Sequence, residues 1–405
     1  EKIIKEQLSR ASIKEIRTPI LEMTELFERG IGEGTDVVSK EMYTFLDRGK
    51  RSCTLRPEGT ASVARALIQN AMQSKPFQKL WYMGPMFRYE RPQAGRQRQF
   101  HQLGVEFVGY ESVRSDIEII TLAWDILEKL GIRELNLEIN TLGNLNDRLI
   151  FQKSFLKWLE INKNSLDLDS QSRIHKNPLR ILDTKNIKTK EILQNAPRLF
   201  DFLSDKSLER YLFLKKQLEH LKIPYVENFN LVRGLDYYTH TAFEITSGSL
   251  GSQATVCGGG RYDNLIKQMG GAETPAIGFA IGLERLILLA GKQLEVERQT
   301  DIYIANKGLY AETLAMDLSR KLRNYDLQVE LDLTGSTFSK QFKKANKLKS
   351  KSIVVIGDDE ANNKEFLIRL FDHESSETKE ELISIEDDTK LEKWLMNNLP
   401  LKIFS

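Results

Sequence analysis

With 405 residues, the chain exceeds the roughly 250–300 residues at which a single hydrophobic core stops growing, so two or three domains are expected. Its 59 basic and 57 acidic side chains leave a net charge of +2, which argues against binding nucleic acid by overall charge alone and leaves local basic patches for RNA. No apolar run is long enough to cross a bilayer and no basic-then-apolar leader opens the chain, so we expect a cytoplasmic protein. Cys53 and Cys257 lie outside disulfide or metal spacings, so we expect no zinc site.

The first predicted elements are a helix and an extended segment. Ile3, Ile4 and Leu8 fall on one face at helical spacing, which predicts a helix over the first nine residues. Pro19 disfavours helix in the residue before it, so the chain is expected to turn extended over residues 16–20.

A hairpin is predicted further along the chain. Two stretches of alternating apolar residues, Leu80–Tyr89 and Phe100–Val108, flank the polar loop Glu90–Gln99. Alternation with a period of two is typical of strands, and a polar loop between two such strands predicts an antiparallel pair.

The two faces of this hairpin are predicted to differ in chemistry. Side chains alternate faces along a strand, so Phe100, Gln102 and Glu106 share one face of the second strand. Arg88 and Glu90 share a face of the first strand and would lie near them if the hairpin pairs in this way. Taken alone, an Arg and a Glu on a hairpin are more often a surface pair.

The loop of the hairpin is strongly basic. The basic loop, taken as Arg88–Arg98, contains Arg88, Arg91, Arg96 and Arg98 beside glycine and proline. Forked guanidinium donors suit a polyphosphate ligand. From this segment alone, a solvated charged loop is an equally good interpretation.

Beyond the hairpin, a helical segment precedes a return to strand patterns. From about Asn144 to Tyr211, Lys, Asn, Ser, Asp and Leu dominate at helical spacing, which predicts an inserted helical module. Strand and glycine signals resume at Asn230–Ile245 and Gln253–Ile281. An apolar helix is predicted at Glu284–Ala290, before a charged linker.

The C-terminal part of the chain alternates between strand and helix patterns. Strands are predicted at Asp301–Ala305, Gln328–Leu333 and Ser352–Ile356, and helices at Ala311–Arg323 and Phe338–Leu348. This alternation is typical of a small α/β domain. The chain has neither a P-loop pattern nor a GxGxxG after a strand, so a nucleotide would have to be held in another way.

The order of the motifs makes a family resemblance specific. Over most of residues 16–290 the chain resembles the class II histidyl-tRNA synthetases, and the motifs Arg233–Tyr238 and Gly258–Asp263 are the histidine-specific ones. The matching motifs are, in chain order, Thr54–Thr60, Phe87–Pro92, Gly95–Arg96, Arg98–Gln102, Leu231–Tyr238, Gly258–Asp263 and Gly278–Arg285.

The resemblance implies an α+β fold in several domains. An antiparallel-sheet catalytic domain of the class II type would comprise residues 1–143 and 213–291, and a helical insertion domain at 144–212 would lie between its two parts. An α/β anticodon-binding domain would follow at 300–405.

The activity that the resemblance implies is ATP-dependent activation of L-histidine to histidyl adenylate and transfer to the 3′ end of tRNA(His). Mg²⁺ would bridge phosphate oxygens of ATP. The tRNA would contact the helical insertion and a lysine-rich tail, although a lysine run is usually a solvated helix face. The enzyme would be a cytoplasmic homodimer with residues 16–20 at the subunit interface and no membrane contact. The lysines concerned are Lys340, Lys343, Lys344, Lys347, Lys349 and Lys351.

The resemblance also assigns a histidine pocket. Glu58, Thr60 and Gln102 would meet the ammonium group, because a buried cation needs a charged or polar partner. Glu106 and Tyr238 would flank the imidazole, so an amino acid without ring nitrogens would leave both unpaired. A packing role alone is a fair alternative for the further tyrosines of this pocket. The other residues assigned to it are Gly59, Tyr237, Tyr262, Arg88 and Arg233.

Arg88 and Arg233 are the catalytic residues that the resemblance implies. Activation joins the histidine carboxylate to the α-phosphate of ATP, and preorganised cations can stabilise the negative charge that builds there. Phe100 and Arg285 would sandwich the adenine. The remaining ATP contacts are assigned to Glu90, which would accept from the adenine amino group, and to Arg96, which would hold the outer phosphates with Arg285.

Two other functions use the same fold. The regulatory subunit of ATP phosphoribosyltransferase shares the catalytic fold without charging tRNA, typically lacks the anticodon-binding domain and has eroded catalytic motifs. An RNA-sensing interaction module built on a synthetase fold would also have lost the arginines that hold ATP. The tail after Thr300 is present, as are Arg88, Arg233 and Arg285, and this favours the enzyme.

The start of the chain departs from the family pattern. Family members normally begin with an additional stretch that includes a short Arg-Gly-Thr-type segment, whereas this chain opens at Glu1, within the first predicted helix. The resemblance therefore leads us to expect that the sequence is a fragment.

Overall fold

The computed structural model of the chain describes residues 1–32, 35, 37–70, 72, 77–90, 96–175, 177–184, 186–231, 237–248, 255–291, 300–371 and 380–399. The chain divides into two units, Glu1–Leu294 and Glu295–Ser405. Arg91 and Gly95 of the basic loop and the predicted catalytic residue Arg233 lie outside the described residues.

The first unit mixes helices and strands along its whole length. Its described strands are β1 Lys14–Glu15, β2 Leu21–Met23, β3 Tyr43–Leu46, β4 Ser52–Leu55, β5 Gln78–Phe87, β6 Gln99–Val108, β7 Leu135–Thr141, β8 Tyr225–Glu227, β9 Thr239–Ser247, β10 Thr255–Arg261 and β11 Ala276–Gly282. Its α-helices are α1 Lys2–Arg10, α2 Thr24–Ile31, α3 Thr60–Gln69, α4 Arg114–Lys129, α5 Leu145–Asn162, α6 Leu168–Arg173, α7 Ile187–Leu193, α8 Asp205–His220, α9 Leu265–Gln268 and α10 Leu283–Ala290. A π-helical turn covers Val37–Glu41, and 3₁₀ helices cover Lys163–Ser165, Pro178–Asp183 and Leu199–Phe202.

Among the described strands of this unit, eight form one large sheet in the order β1-β5-β6-β11-β10-β9-β7-β8. Every pair from β5 to β7 along that order is antiparallel, and the outer pairs β1·β5 and β7·β8 are parallel. The predicted antiparallel sheet is therefore confirmed. The remaining strands form a smaller antiparallel sheet in the order β2-β4-β3.

The predicted hairpin is the pair β5·β6, in register from Gln78 opposite Val108 to Phe87 opposite Gln99. The apolar face of β6 is buried against α4 in the main hydrophobic core. β5 ends earlier than predicted, because the amide N–H of Tyr89 donates to the carbonyl oxygen of Glu41 at 2.8 Å and not to β6. The core residues contributed by β6 are Leu103, Val105 and Phe107.

The segment predicted to be a helical insertion is helical in the structure. Its first helix, α5, begins at a capping box in which Asn144 and Asp147 each accept the backbone N–H of the other, which satisfies amide groups that the first turn leaves free. Phe151, Phe155 and Leu159 give this segment a small apolar core of its own. The last helix, α8, runs through the predicted boundary at residue 212, so the limits of an insertion domain stay a prediction.

The second unit is a small α/β arrangement, as predicted. Its strands lie in the order β13-β12-β14-β15-β16, parallel within the first three and antiparallel within the last three. Apolar residues from the central strands and from α11 and α14 form its core. The described elements are β12 Ile302–Lys307, α11 Leu309–Arg323, β13 Val329–Leu331, α12 Phe338–Lys347, β14 Ser352–Gly357, α13 Asp358–Asn362, β15 Glu365–Leu370, β16 Glu380–Ser384 and α14 Asp388–Asn398.

The α-helices given above are between 4 and 18 residues long. Among those that the structure describes, none combines the length and the apolar composition that crossing a bilayer requires.

Candidate active site

A cavity of about 680 Å³ opens on the face of the large sheet opposite the main core. Strands β5, β6, β9, β10 and β11 line it, together with the residues that begin α3 and α10. The helical segment adds Leu182, Lys190 and Gln194 to the wall. The predicted site residues that line this cavity are Glu58, Thr60, Arg88, Glu90, Arg96, Phe100, Gln102, Glu106, Tyr237, Tyr238, Tyr262 and Arg285.

Two predicted site residues are not among this lining. Gly59 packs against Tyr82, because a Cβ atom at Gly59 would lie 2.2 Å from the Tyr82 ring. Arg233 belongs to residues 232–236, which lie outside the described part of the chain. The expected convergence of Arg88 and Arg233 on one phosphate therefore stays a prediction.

Glu58 is held at the N-terminus of α3. Its Oε2 accepts the backbone N–H of Thr60 at 2.7 Å, and its Oε1 accepts that of Ala61 at 2.8 Å. These amide groups would otherwise lack a partner, and the positive end of a helix dipole favours a carboxylate there. Burial raises the pKa of Glu58, and the two N–H donors oppose that shift. Each oxygen keeps a lone pair that could accept from a ligand ammonium group.

Glu106 lies in the same cavity, only 1% exposed and surrounded by hydroxyl groups. Its Oε1 accepts from the hydroxyl of Thr60 at 2.7 Å and from that of Tyr82 at 3.4 Å. Its Oε2 accepts from the hydroxyl of Tyr262. Burial raises the pKa of Glu106 to about 8, the nearby Glu58 adds to the rise, and the hydroxyl donors oppose it.

The predicted pocket tyrosines form one aromatic cluster. The ring centroid of Tyr237 lies 4.7 Å from that of Tyr238 and 5.5 Å from that of Tyr262. Burial raises the pKa of the Tyr237 and Tyr262 phenols well above the usual value, so both stay neutral. Neutral phenols can donate to a carboxylate or to a ring nitrogen.

Gln102 adds an amide to the same face of β6. Its Oε1 is buried and has no hydrogen-bond partner among the described residues. A buried acceptor without a partner costs free energy unless a ligand donor meets it. The predicted role toward an ammonium group fits this position.

The other end of the cavity is rich in guanidinium groups. Glu90 forms ion pairs with Arg96 at 3.1 Å and with Arg88 at 3.9 Å. Nε of Arg88 donates to the carbonyl oxygen of Pro57 at 2.9 Å, which fixes its direction. Burial and the nearby Arg96 lower the pKa of Arg285. An anionic ligand would relieve the repulsion between these cations.

Phe100 is the predicted platform for adenine. The guanidinium carbon of Arg88 lies 5.4 Å from the centroid of the Phe100 ring, so in this structure Arg88 contacts the ring face. Arg285 lies in the same cavity and donates to the carbonyl oxygen of Thr255. The expected sandwich of an adenine between Phe100 and Arg285 stays a prediction.

Tyr82 was missed in the sequence, although it lines the cavity beside Glu106. The signal was present, because alternation along β5 places Tyr82 on the same face as Arg88. A tyrosine in an apolar strand is usually a packing residue, and nothing local in the sequence shows where its hydroxyl points.

A buried ion cluster behind the pocket was also missed. Arg261 is fully buried and donates to Asp116, Asp263 and the hydroxyl of Ser115. Asp116 also accepts from Arg210 at 3.0 Å. Burial alone would raise the pKa of Asp116, but Arg261 and Arg210 hold it below its usual value. The cluster joins α4, α8 and β10, and Arg261 directly precedes Tyr262 of the pocket.

Metal-binding side chains do not cluster in the described part of the chain: no group of three or more His, Cys, Asp or Glu that could hold an ion occurs there. Individual carboxylates such as Glu138 and Glu244 do line the cavity.

Comparison with protein families agrees with this geometry. The model of the histidyl-tRNA synthetase family matches residues 5–286, and that of an anticodon-binding domain matches residues 301–387. A protein of Prochlorococcus marinus strain MIT 9312 named histidine–tRNA ligase is 83% identical over 399 residues, which cover 98% of this chain and 94% of that protein.

Solved structures give the same result. Apo histidyl-tRNA synthetase of Staphylococcus aureus is 36% identical, with a TM-score of 0.79 over 98% of this chain and 94% of that one. A protein of Bacillus halodurans C, described as an ATP phosphoribosyltransferase regulatory subunit/histidyl-tRNA synthetase, is 22% identical with a TM-score of 0.61 over 88% of this chain and 92% of that one, a likeness of fold alone. The chain belongs to the histidyl-tRNA synthetase family.

Proposed function

We propose that this chain activates L-histidine with ATP to give histidyl adenylate and then transfers the histidyl group to the 3′ end of tRNA(His). The observation that carries the proposal is one cavity with a buried, hydroxyl-bonded Glu106 at one end and three guanidinium groups at the other. The end with Glu106 suits an imidazole, and the end with the guanidinium groups suits a triphosphate. The guanidinium groups are those of Arg88, Arg96 and Arg285.

In the activation step, an oxygen of the histidine carboxylate bonds to the α-phosphorus of ATP while the bond to the leaving pyrophosphate breaks. Negative charge on the α-phosphate oxygens grows in the transition state. Arg88 would stabilise that charge, because the hydrogen bond from its Nε to the carbonyl oxygen of Pro57 fixes the direction of its guanidinium. We assign the same role to Arg233, on family resemblance alone.

Histidine recognition would rest on the buried end of the cavity. Glu106 would accept the N–H of the imidazole, and the hydroxyl of Tyr238 would donate to the other ring nitrogen. The ammonium group would meet Glu58, Thr60 and Gln102. An amino acid of similar size without ring nitrogens would leave buried polar groups unpaired, which supports discrimination of about 10⁴–10⁵.

The nucleotide would occupy the guanidinium-rich end. We propose that adenine stacks on Phe100 beneath Arg285, that its amino group donates to Glu90, and that Arg96 contacts the outer phosphates. ATP would enter as its magnesium complex, since Mg²⁺ takes oxygen ligands and bridges phosphates in such reactions. Carboxylates that line the cavity, such as Glu244, are ligands of the type that this ion takes.

We also propose that the enzyme is a homodimer. Three apolar side chains on one face of the β2-β4-β3 sheet are 43–46% exposed, and an exposed apolar patch of this kind is typical of a protein interface. The patch lies next to the segment expected at the subunit interface. Its residues are Leu21, Met23 and Phe45.

Contacts with tRNA(His) are assigned to the second unit and to the helical segment. α12 presents Lys340, Lys343 and Lys347, and charged residues on one helix suit a phosphate backbone. The domain limits given above and the cytoplasmic location stay predictions. The regulatory-subunit alternative is not retained, because an anticodon-binding domain model matches the second unit.

The proposal is tested by amino-acid-dependent exchange of pyrophosphate into ATP, measured with each of the twenty amino acids. We expect exchange with histidine alone. Exchange with none of them would favour a regulatory protein, and exchange with another amino acid would contradict the pocket assignment. Charging of tRNA(His) with labelled histidine then tests the transfer step.

A further inference from the structure

Tyr82 lies beside the carboxyl group that would recognise the imidazole. It stands in the middle of β5, is 3% exposed, and pairs across the strands with Gly104. Its hydroxyl lies 3.4 Å from Oε1 of Glu106, the same oxygen that accepts from Thr60 at 2.7 Å. Two hydroxyl groups from different elements therefore meet one oxygen of the carboxyl group.

The backbone is shaped to hold the Tyr82 ring in this place. A Cβ atom at Gly59 would lie 2.2 Å from Cε2 of the ring, and a Cβ atom at Gly104 would lie 2.0 Å from Cζ. Both positions therefore need glycine, and both give the ring closer contact with the main chain than another residue would allow. The start of α3 and strand β6 together fix where the hydroxyl lies.

We propose that Tyr82 is a positioning residue for histidine recognition, whose hydroxyl, together with those of Thr60 and Tyr262, fixes the rotation of the Glu106 carboxyl group. The inference rests on the proposed function, because it takes histidine as the substrate. A carboxyl group held by donors on known sides offers its remaining lone pairs in a defined direction, so the imidazole N–H meets an acceptor that does not have to reorient.

A role in packing alone predicts a different behaviour. Tyr82→Phe keeps the ring and its contacts with Gly59 and Gly104 and removes one hydroxyl donor. If only the ring matters, histidine binding stays unchanged. If the hydroxyl positions Glu106, binding weakens by the contribution of one hydrogen bond to a charged or buried acceptor, about 3- to 10-fold.

The test compares Tyr82→Phe with a matched control, Tyr211→Phe. Tyr211 is also buried and also donates to a carboxylate, that of Glu227 at 3.1 Å, but it does not line the cavity. Calorimetry gives the Kd of histidine, and pyrophosphate exchange gives KM and kcat. For Tyr82→Phe we expect the Kd and KM of histidine to rise about 3- to 10-fold with kcat little changed, and for Tyr211→Phe neither to change.

A double-variant cycle shows whether Tyr82 acts through Glu106. In a Glu106→Gln background, adding Tyr82→Phe should weaken histidine binding less than it does in the wild type, because the group it positions is altered. An unchanged Kd for Tyr82→Phe, or an equal loss in both backgrounds, would overturn the proposal. Failure of the proposed function is distinguishable, since the unmodified protein would then neither bind histidine nor support exchange.

Discussion

Glu106 is a carboxyl group with hydroxyl donors on both oxygens and no ion-pair partner among the described residues. Its pKa of about 8 means that the group is largely protonated near neutral pH. A neutral carboxyl group can donate as well as accept, so Glu106 can match an imidazole in either tautomer. Arg88, in contrast, is directed by the backbone carbonyl of Pro57.

The raised pKa of Glu106 predicts a pH dependence of stability. An acid whose pKa is higher in the folded than in the unfolded state binds more protons when folded, so its contribution falls as pH rises from about 4.5 to about 8. Glu106→Gln removes this titration. We therefore expect the Tm of the variant, relative to wild type, to increase as pH rises through that window, measured by calorimetry.

The control for this pH series is Glu273→Gln, which changes an exposed carboxylate paired with Lys267. The pKa of Glu273 is lowered by that pair, so its Tm difference from wild type should stay flat over the same pH window. A flat difference for Glu106→Gln as well would contradict the burial argument.

The role assigned to Arg88 predicts a loss in the chemical step. Arg88→Ala should lower kcat for histidine-dependent pyrophosphate exchange by about 100- to 1000-fold, because a preorganised donor to the developing charge is lost. The matched control is Arg29→Ala, an exposed arginine whose partner is Glu25, and it should leave kcat unchanged. A loss below about tenfold for Arg88→Ala would remove Arg88 from the catalytic residues.

The sequence predicted which face a side chain takes where alternation along a strand decides its direction. Gln102 and Glu106 share the cavity face as expected, since a period of two fixes which side of β6 they take. Tyr82 and Arg261 were not predictable, because their roles depend on partners far away in the chain. Arg261 pairs with Asp116, and local sequence carries no sign of such a contact.

At the scale of elements, close approach between strands shapes the site. β11 pairs with β6 so that Gly278 stands opposite Glu106. A Cβ atom at Gly278 would lie 1.9 Å from Oε2 of Glu106 and 2.5 Å from the carbonyl oxygen of Val105. The glycine therefore makes room for the Glu106 carboxyl group within the sheet.

Gly278→Ala should destabilise the fold by about 1–3 kcal/mol or more, because the backbone oxygen of Val105 cannot move without disturbing the sheet. The same change should weaken histidine binding by displacing Glu106. Urea denaturation measures the first effect and calorimetry the second. Gly282→Ala is the stability control, since a Cβ atom there meets side-chain atoms of Arg285 at 4.0 Å, an ordinary contact. Equal stability of the two variants would contradict this account.

The sequence predicted whether a segment is a helix or a strand better than it predicted where that helix or strand ends. The hairpin, the helical segment and the alternating tail all followed from hydrophobic periodicity. β5 stopped short of its predicted end because Tyr89 bonds to Glu41, from a distant part of the chain. α8 runs past residue 212 because helical spacing does not mark where an insertion rejoins its host sheet.

For the whole molecule, motif order carried more information than any single motif. The hairpin pair and the basic loop each had a structural alternative when taken alone, yet the order of all the motifs along the chain matched one family, and the family models match the same regions. Assembly is less accessible from sequence, because an apolar patch becomes visible only when the strands that carry it are folded together. Leu21 and Phe45 lie on strands that pair with β4 from opposite sides.

The proposed dimer interface predicts the effect of a charge within the patch. Phe45 lies within the patch and is 46% exposed, so Phe45→Glu should leave the single chain folded and should block association by burying an unpaired carboxylate. Sedimentation velocity should show a dimer for the wild type and a monomer for this variant. Leu382→Glu, at a residue 46% exposed in the second unit, should remain dimeric. A monomeric wild type, or a dimeric Phe45→Glu, would contradict the interface.

We propose that Glu106, Arg88 and Arg233 act together on one bound histidine and one phosphate. A crystal structure with histidine and a non-hydrolysable ATP analogue tests it most directly. The predicted result is an imidazole nitrogen within hydrogen-bond distance of Glu106, with Arg88 and Arg233 both contacting the α-phosphate. The proposal would be contradicted if the three side chains were directed at separate regions, or if the imidazole were bound away from Glu106.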